Sequence, residues 1–329
     1  MAGHHANWAG DAQSRAADWM TGVEAQLQAI VVAENPFVTE ASQHVLAAGG
    51  KRLRPLLVGL VSQFGEVASD DRSLVAAALV VELTHVASLY HDDVMDDAEM
   101  RRGVASANAR YGNSVAILTG DYLFARASSL VATLGVDYVE LQANTFARMV
   151  QGQIAELRGP GDGTDPMRHY LSVLADKTGA LIATSAVFGG MVAGLPAPQL
   201  AALANFGEAL GLAFQLDDDL LDITSDTAGK NPGTDLRQGV ATLPMLLLAQ
   251  SSVPSDKALV AAFAAGLASD EVPGALASLR ANAVIEQAHE VVAGYAATAK
   301  RELELLPDCA AREALMVLVD DMTSRVRTA

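Results

Sequence analysis

The sequence predicts an all-α protein, a single-domain helical bundle around a deep central cavity. Apolar residues recur at three-and-four spacing nearly throughout the 329 residues, and no stretch sustains an alternation of period two. The chain is 51% hydrophobic and rich in Ala, Leu and Val, with few aromatics and with scattered glycine and proline, which suits packed helices and not disorder. No low-complexity linker divides it, and two distant aspartate clusters must meet across one hollow to act together, so residues 1–329 read as one domain.

In chain order, the periodicity places helices over Ala12–Ala33, Pro36–Ala48, Arg54–Phe64, Asp70–Met95, Asn113–Leu134, Tyr138–Leu157, Thr178–Ala193 and Pro198–Ile223. Several shorter ones follow, ending near Arg325. Gly49-Gly50 and Gly135 read as C-terminal caps, because glycine ends a helix in the left-handed conformation without strain. Pro36, Pro166 and Pro198 stand where helices can start, since a first-turn residue makes no use of the missing N–H. Glycine, proline and polar residues break the pattern at Arg158–Asp165 and Thr224–Gly239; the second break directly follows an aspartate cluster and reads as a flap over the site.

Two segments carry the chemistry: Asp92-Asp93-Val94-Met95-Asp96 and Asp218-Asp219-Leu220-Leu221-Asp222. Residues four apart stack on one helical face, so Asp92 and Asp96 point together, as do Asp218 and Asp222. Like charges at that spacing destabilise a helix, and both clusters lie in apolar runs, so they call for cations. Hard oxygen ligands fit Mg²⁺, which commonly completes its shell with water and substrate phosphate. Lys51, Arg52, Arg54, Arg101, Arg102, Lys177 and Lys230 occur in short polar breaks and suggest phosphate recognition, Arg as a fork and Lys as a point charge.

A net charge of −17 argues against non-specific nucleic-acid binding, which wants a basic surface. The lone Cys309 permits no internal disulfide, fits a reducing cytoplasm and reads as structural. Met1–Gly10 shows no secretion signal. Thr178–Leu195 is apolar and near the lower length for a membrane span, but Thr184, Ser185 and its glycines make it a buried core helix. No transmembrane segment is expected; peripheral membrane contact to release a greasy product stays open.

Together these motifs resemble the all-trans isoprenyl (polyprenyl) diphosphate synthase family. The resemblance rests on Gly49-Gly50-Lys51-Arg52-Leu53-Arg54-Pro55, His91 through Asp96 with Arg101-Arg102-Gly103, Tyr111-Gly112, Gly120-Asp121 and Lys177-Thr178-Gly179. It continues through Phe214-Gln215-Leu216-Asp217 into the second aspartate motif, then Gly229-Lys230 and Gly233-Thr234-Asp235-Leu236. It implies the isoprenoid-synthase helical fold, usually a homodimer, and Mg²⁺-dependent head-to-tail condensation of isopentenyl diphosphate with an allylic diphosphate, farnesyl or similar. By position it implies Asp92, Asp96, Asp218 and Asp222 as ligands of three Mg²⁺ ions, with Asp93 and Asp219 as further members of the metal motifs. Arg101, Lys177, Thr178, Gln215 and Lys230 match ligands of the allylic diphosphate, and Lys51, Arg54, His85 and Arg102 match those of the isopentenyl diphosphate. Asp92, Asp96, Asp218 and Lys177 would carry catalysis.

The chemistry agrees. Breaking the allylic carbon–oxygen bond leaves a carbocation and a diphosphate anion, whose charge metal ions and cationic side chains stabilise. The isopentenyl double bond attacks, the released diphosphate is a plausible proton acceptor, and an apolar pocket keeps water away. The chain departs from the family pattern at Gly239-Val240, where a second flap lysine is usual and Arg237 is the nearest substitute. It also departs at Ala105-Ser106, in place of proline-threonine, and at Gln153, in place of glutamate; Asp217 has no assigned role.

Family members that stop early often place an aromatic four or five residues before the first aspartate. Here those positions are Ser88 and Ala87, with Thr84 a turn deeper. One turn, about 5.4 Å, matches roughly one isoprene unit. Unblocked, this helix predicts a medium or long product, longer than farnesyl; Phe146 is a candidate floor whose expected role is ordinary packing. The alternatives are a geranylgeranyl diphosphate synthase or a non-catalytic regulatory subunit. Two complete aspartate motifs weigh against the latter and against a terpene cyclase.

Overall fold

The computed structural model describes residues 8–224, 242–266 and 271–323. The break after Thr224, with Lys230, Arg237 and Gly239-Val240, lies outside the described residues. The fold is all-α. Its helices are α1 (Trp8–Ile30), α2 (Pro36–Ala47), α3 (Leu53–Ser62), α4 (Arg72–Met95), α5 (Ala107–Tyr111), α6 (Asn113–Val131), α7 (Val136–Arg158) and α8 (Pro166–Leu174). They continue as α9 (Ala180–Val192), α10 (Ala197–Thr224), α11 (Leu243–Gln250), α12 (Pro254–Ala265), α13 (Val272–Arg280), α14 (Val284–Leu303) and α15 (Ala310–Thr323). The chain forms two compact units of interleaved segments. One holds Met1–Ala147, Leu181–Ala204 and Leu303–Leu315; the other holds Arg148–Ala180, Asn205–Glu302 and Met316–Ala329.

In the first unit α4 is the axis. Every residue from Leu74 to Thr84 is buried, as a helix apolar all round requires. Asp71 starts it by accepting from the N–H groups of Ser73 and Leu74, at 2.8 and 3.1 Å. The helices α3 and α6 pack against it. On α9, Gly189 has no room for a side chain: a Cβ there would stand 2.7 Å from the Val58 carbonyl oxygen and 2.8 Å from Val61 Cβ on α3.

Between α4 and α5 lies a two-stranded hairpin that helical periodicity does not reveal. Its strands, β1 (Met100–Arg101) and β2 (Val104–Ala105), pair Met100 with Ala105 and Arg101 with Val104. The central turn residues Arg102 and Gly103 both have positive φ, 53° and 81°, as in a type I′ turn. Ser106 then caps α5 by accepting from the Ala109 N–H at 3.3 Å, so serine serves where threonine is usual.

In the second unit Leu212, Leu216 and Leu220 of α10 pack with Leu174, Leu243, Ala288 and Val292. Ile223 joins Leu248, Val272, Leu276, Leu279 and Val284 in a further cluster. Asp165 caps α8, its side chain accepting from the Met167 N–H at 3.2 Å. The helix does not stop at Leu174. It widens into one π-helical turn, Ala175–Gly179, and continues as α9. The expectation that a helix opens at Thr178 is therefore corrected: Lys177 and Thr178 lie inside a continuous helix. That helix and α4 are long and apolar enough to cross a membrane, but their apolar windows are 61% and 78% buried, as in core helices.

Gly189→Ala should destabilise the protein by about 1–3 kcal/mol, because backbone stands where the methyl must go. Urea unfolding would read this; an unchanged midpoint would show that α3 and α9 part without cost.

Candidate active site

Asp92 and Asp96 keep their one-turn spacing. Asp96 caps α4, and its N–H donates to the Asp92 carbonyl at 2.8 Å. Its side chain is exposed and that of Asp92 half-buried. Carboxylates here face the negative end of the helix dipole, which adds to their mutual repulsion. Asp93 is turned inward. It is buried, and its Oδ1 meets Arg101 Nε at 2.7 Å and Nη2 at 2.5 Å. Burial pushes its carboxyl pKa up, although Arg101 pulls it down. Asp93 thus tethers the hairpin that carries Arg101.

Arg102 lies over Gly50, and its Nη1 donates to the Gly49 carbonyl. A Cβ on Gly50 would stand 2.8 Å from the guanidinium carbon, and its φ of 145° belongs to glycine. Close by are Arg54 and His85. Burial pulls the Arg54 pKa down to about 10, with Glu82 opposing and Arg102 adding. Its Nε is buried without a hydrogen-bond partner, a donor that a bound anion would satisfy. Burial, then Arg54, Arg102, Arg101 and Arg52, holds His85 well below the usual histidine range. Its imidazole is neutral, in a cluster of guanidinium groups. Lys51 is exposed beside them.

The second unit repeats the pattern. On α10, Asp218 is exposed and Asp222 half-buried, while Asp219 between them is buried. The Tyr170 hydroxyl donates to Asp219 Oδ2, and Gln215 Nε2 donates to Oδ1 at 3.1 Å. Thr178 in turn donates to Gln215 Oε1 at 3.4 Å, linking the π turn to the aspartate motif. Lys177 Nζ meets Glu156 Oε2 at 2.6 Å. Arg148 grips the same turn, with Nε on Asp176 at 2.9 Å and both Nη atoms on Glu208 at 3.1 Å. Lys177 and Thr178 thus both lie in the π turn, an element often found at functional sites.

In both motifs, then, the middle aspartate is a buried tether, while one outer aspartate is exposed and the other half-buried. Among the described residues no three His, Cys, Asp or Glu side chains gather closely enough to hold a metal alone. Paired hard oxygen donors beside guanidinium groups fit a Mg²⁺ ion shared with a diphosphate, and do not fit a structural metal. Lys230 lies outside the described residues.

The chain-length positions are not equivalent. Ser88 is half-buried, whereas Ala87 and Thr84 have no exposed surface. Ala87 and Thr84 are therefore packed inside the protein, and Ser88 is the one of the three with exposed surface. Thr84 Oγ1 donates to the Val80 carbonyl at 2.8 Å and accepts from Gln142 Nε2 at 3.3 Å. Phe146 stacks on Phe124, with centroids 4.3 Å apart, and Phe124 lies 5.6 Å from the His91 ring.

Sequence reading missed Glu24, Glu82, Glu156 and Tyr170 as parts of the site. One signal was present: Glu82 is the lone Asp, Glu, Lys or Arg between Leu74 and Tyr90, and a carboxylate in such a run needs a cation.

His85 gives a pH dependence. An unfolded histidine titrates near about 6.5, while folded His85 stays neutral to lower pH. The unfolded state therefore binds the extra proton, and stability falls as pH drops below about 6.5. His85→Gln should flatten that fall in melting temperature. Parallel curves for both proteins would show that His85 charges in the folded state.

The polyprenyl synthetase family model matches residues 35–277. A nonaprenyl diphosphate synthase of Mycobacterium tuberculosis is 47% identical over 292 residues, 88% of this chain and 87% of that protein. Among solved structures, a geranylgeranyl pyrophosphate synthase of Corynebacterium glutamicum, complexed with calcium and isoprenyl diphosphate, superposes with a TM-score of 0.86 at 43% identity, covering 95% of this chain and 96% of that one. A decaprenyl diphosphate synthase of Rhodobacter capsulatus does so with a TM-score of 0.87 at 32% identity, covering 97% and 99%. With the family model spanning most of the chain and its motifs in place, the chain belongs to the polyprenyl synthetase family.

Proposed function

We propose that this chain is an all-trans polyprenyl diphosphate synthase, a prenyltransferase that joins isopentenyl diphosphate head to tail to an allylic primer, farnesyl diphosphate or similar. The observation that carries the reading is the repeated motif geometry: two surface carboxylates one turn apart, a buried tether between them, and phosphate-binding side chains bonded to the tether. Asp92, Asp96, Asp218 and Asp222 hold Mg²⁺, three ions with the diphosphate bound. When bound, Mg²⁺ neutralises the allylic diphosphate and stabilises the charge on the leaving group. Arg101, Lys177, Thr178 and Gln215 orient that diphosphate, with Lys230 as a further contact. Lys51, Arg54 and Arg102 hold the isopentenyl diphosphate, and neutral His85 adds a hydrogen bond without adding charge. In this reading residues 1–329 act as a single catalytic domain.

The product is medium or long. Relatives named nonaprenyl, octaprenyl and decaprenyl diphosphate synthases support this, and those named geranylgeranyl synthases keep a shorter product as the alternative. A homodimer belongs to the same proposal. Ile117 and Leu118 on α6, and Val136, Val139, Val150, Ile154 and Leu157 on α7, are exposed apolar residues, those of α7 at helical spacing. A cytoplasmic location with transient membrane contact at product release completes it.

The test is incubation of the pure chain with Mg²⁺, farnesyl diphosphate and labelled isopentenyl diphosphate. Elongation is expected, and Asp92→Ala or Asp218→Ala should each lower kcat by about 100-fold or more. No elongation with any allylic primer would end the proposal. For product length, Ser88→Phe should shorten the main product and Gln142→Ala should lengthen it, read by chromatography. Ala87→Phe should instead cost stability, because that site is fully packed.

A further inference from the structure

Arg52 lies between Lys51 and Arg54, yet its guanidinium is committed elsewhere. Nε donates to Glu24 Oε2 at 2.7 Å. Nη2 donates to Glu24 Oε1 at 3.0 Å and to the Leu46 carbonyl at 2.9 Å. Nη1 donates to Glu82 Oε1 at 2.8 Å. One side chain thus joins α1, the end of α2 and α4. Arg52 and Glu82 are 8% and 2% exposed, and Glu24 closes the network from the solvent side at 41%. The Arg52 backbone is left-handed, with a φ of 47°, a conformation that costs a residue with a Cβ and persists only where surrounding contacts hold it.

We infer that Arg52, Glu82 and Glu24 form a strut that positions the isopentenyl diphosphate subsite without touching the substrate. The inference rests on the function proposed above. The strut fixes the turn between α2 and α3, which carries Lys51 and leads into the first turn of α3, where Arg54 stands. Glu82 also acts by charge on Arg54 and Arg102, so one buried carboxylate offsets several guanidinium groups that would otherwise repel each other. A buried ion pair is weak evidence for stability, because desolvation consumes most of the attraction. Its place in an otherwise apolar helix is better explained by the geometry it imposes. Lys51 and Arg54 flank the strut in sequence, and the unpartnered Nε of Arg54 lies next to it.

The test uses the full chain with Glu82→Gln, Glu24→Gln and Arg52→Lys. Glu24→Gln removes only the solvent-side partner, so it reads the strut even if Glu82→Gln fails to fold. With each substrate varied in turn, KM for isopentenyl diphosphate should rise about tenfold, while KM for the allylic primer and kcat stay within about twofold. The expected order is Glu24→Gln mildest and Glu82→Gln strongest. Unchanged KM for isopentenyl diphosphate in the folded variants would overturn the strut, as would an equal rise for both substrates. Calorimetric titration of inorganic diphosphate without Mg²⁺ gives a readout free of turnover: weaker binding to Glu24→Gln than to wild type is expected, and equal binding counts against the strut. A wild type that binds but never elongates would overturn the proposed function and leave the strut judged by this binding comparison.

Discussion

The structure depends on how an apolar bundle tolerates concentrated charge. Three carboxylates crowd the C-terminal end of α4, where their own repulsion and the helix dipole both oppose them. An isolated pair of like charges costs only a fraction of a kcal/mol on an exposed helix, but the cost grows as water is withdrawn. The chain meets it by dividing labour within each motif. The middle aspartate is buried and hydrogen-bonded, so its charge is spent inside the protein. The outer two are exposed or half-buried, where the proposed Mg²⁺ ions would meet them.

The same logic explains why the tethers bond to the residues they do. Asp93 holds Arg101, and Asp219 holds Gln215, which accepts from Thr178. In each unit a buried carboxylate fixes side chains matched to the allylic diphosphate. Such groups are useful only if they are in place before the charge develops, since reorganising them during reaction would return the gain. The π turn serves that end too. Within it Lys177 meets Glu156 and Thr178 meets Gln215, from the interior of one helix.

Much of this was legible in the sequence because it is periodic. Helix spans follow from apolar spacing, and Pro36 and Pro166 mark starts that Asn35 and Asp165 cap. The aspartate pairs follow from a spacing of four. What stayed hidden depends on particular partners. The β1–β2 hairpin is too short for a period to register. The π turn hides because polar Asp176-Lys177-Thr178 reads as a break, whereas the helix runs on through it. Arg52 looks like its neighbours Lys51 and Arg54 until Glu24 and Glu82 are seen to take it. The full burial of Ala87, against the half-burial of Ser88, is likewise not disclosed by spacing from Asp92.

Magnitudes decide what the floor beneath Ser88 does to a growing chain. Below His85 every residue of α4 from Leu74 to Thr84 is buried, and Gln142 donates to Thr84 Oγ1 there at 3.3 Å. A bond of that kind contributes about 1 kcal/mol net. Thr84 keeps its bond to Val80 if Gln142 leaves, and half-buried Gln142 can turn to water, so neither group is stranded. Burying one further isoprene unit, at about 0.8 kcal/mol per carbon, gains roughly 4 kcal/mol. Under the proposed function a growing chain end would gain more than this contact costs, whereas an aromatic ring in the same place would have to be moved bodily against close packing. A floor made of a hydrogen bond would yield to elongation where an aromatic ring would not, in keeping with the medium or long product proposed above.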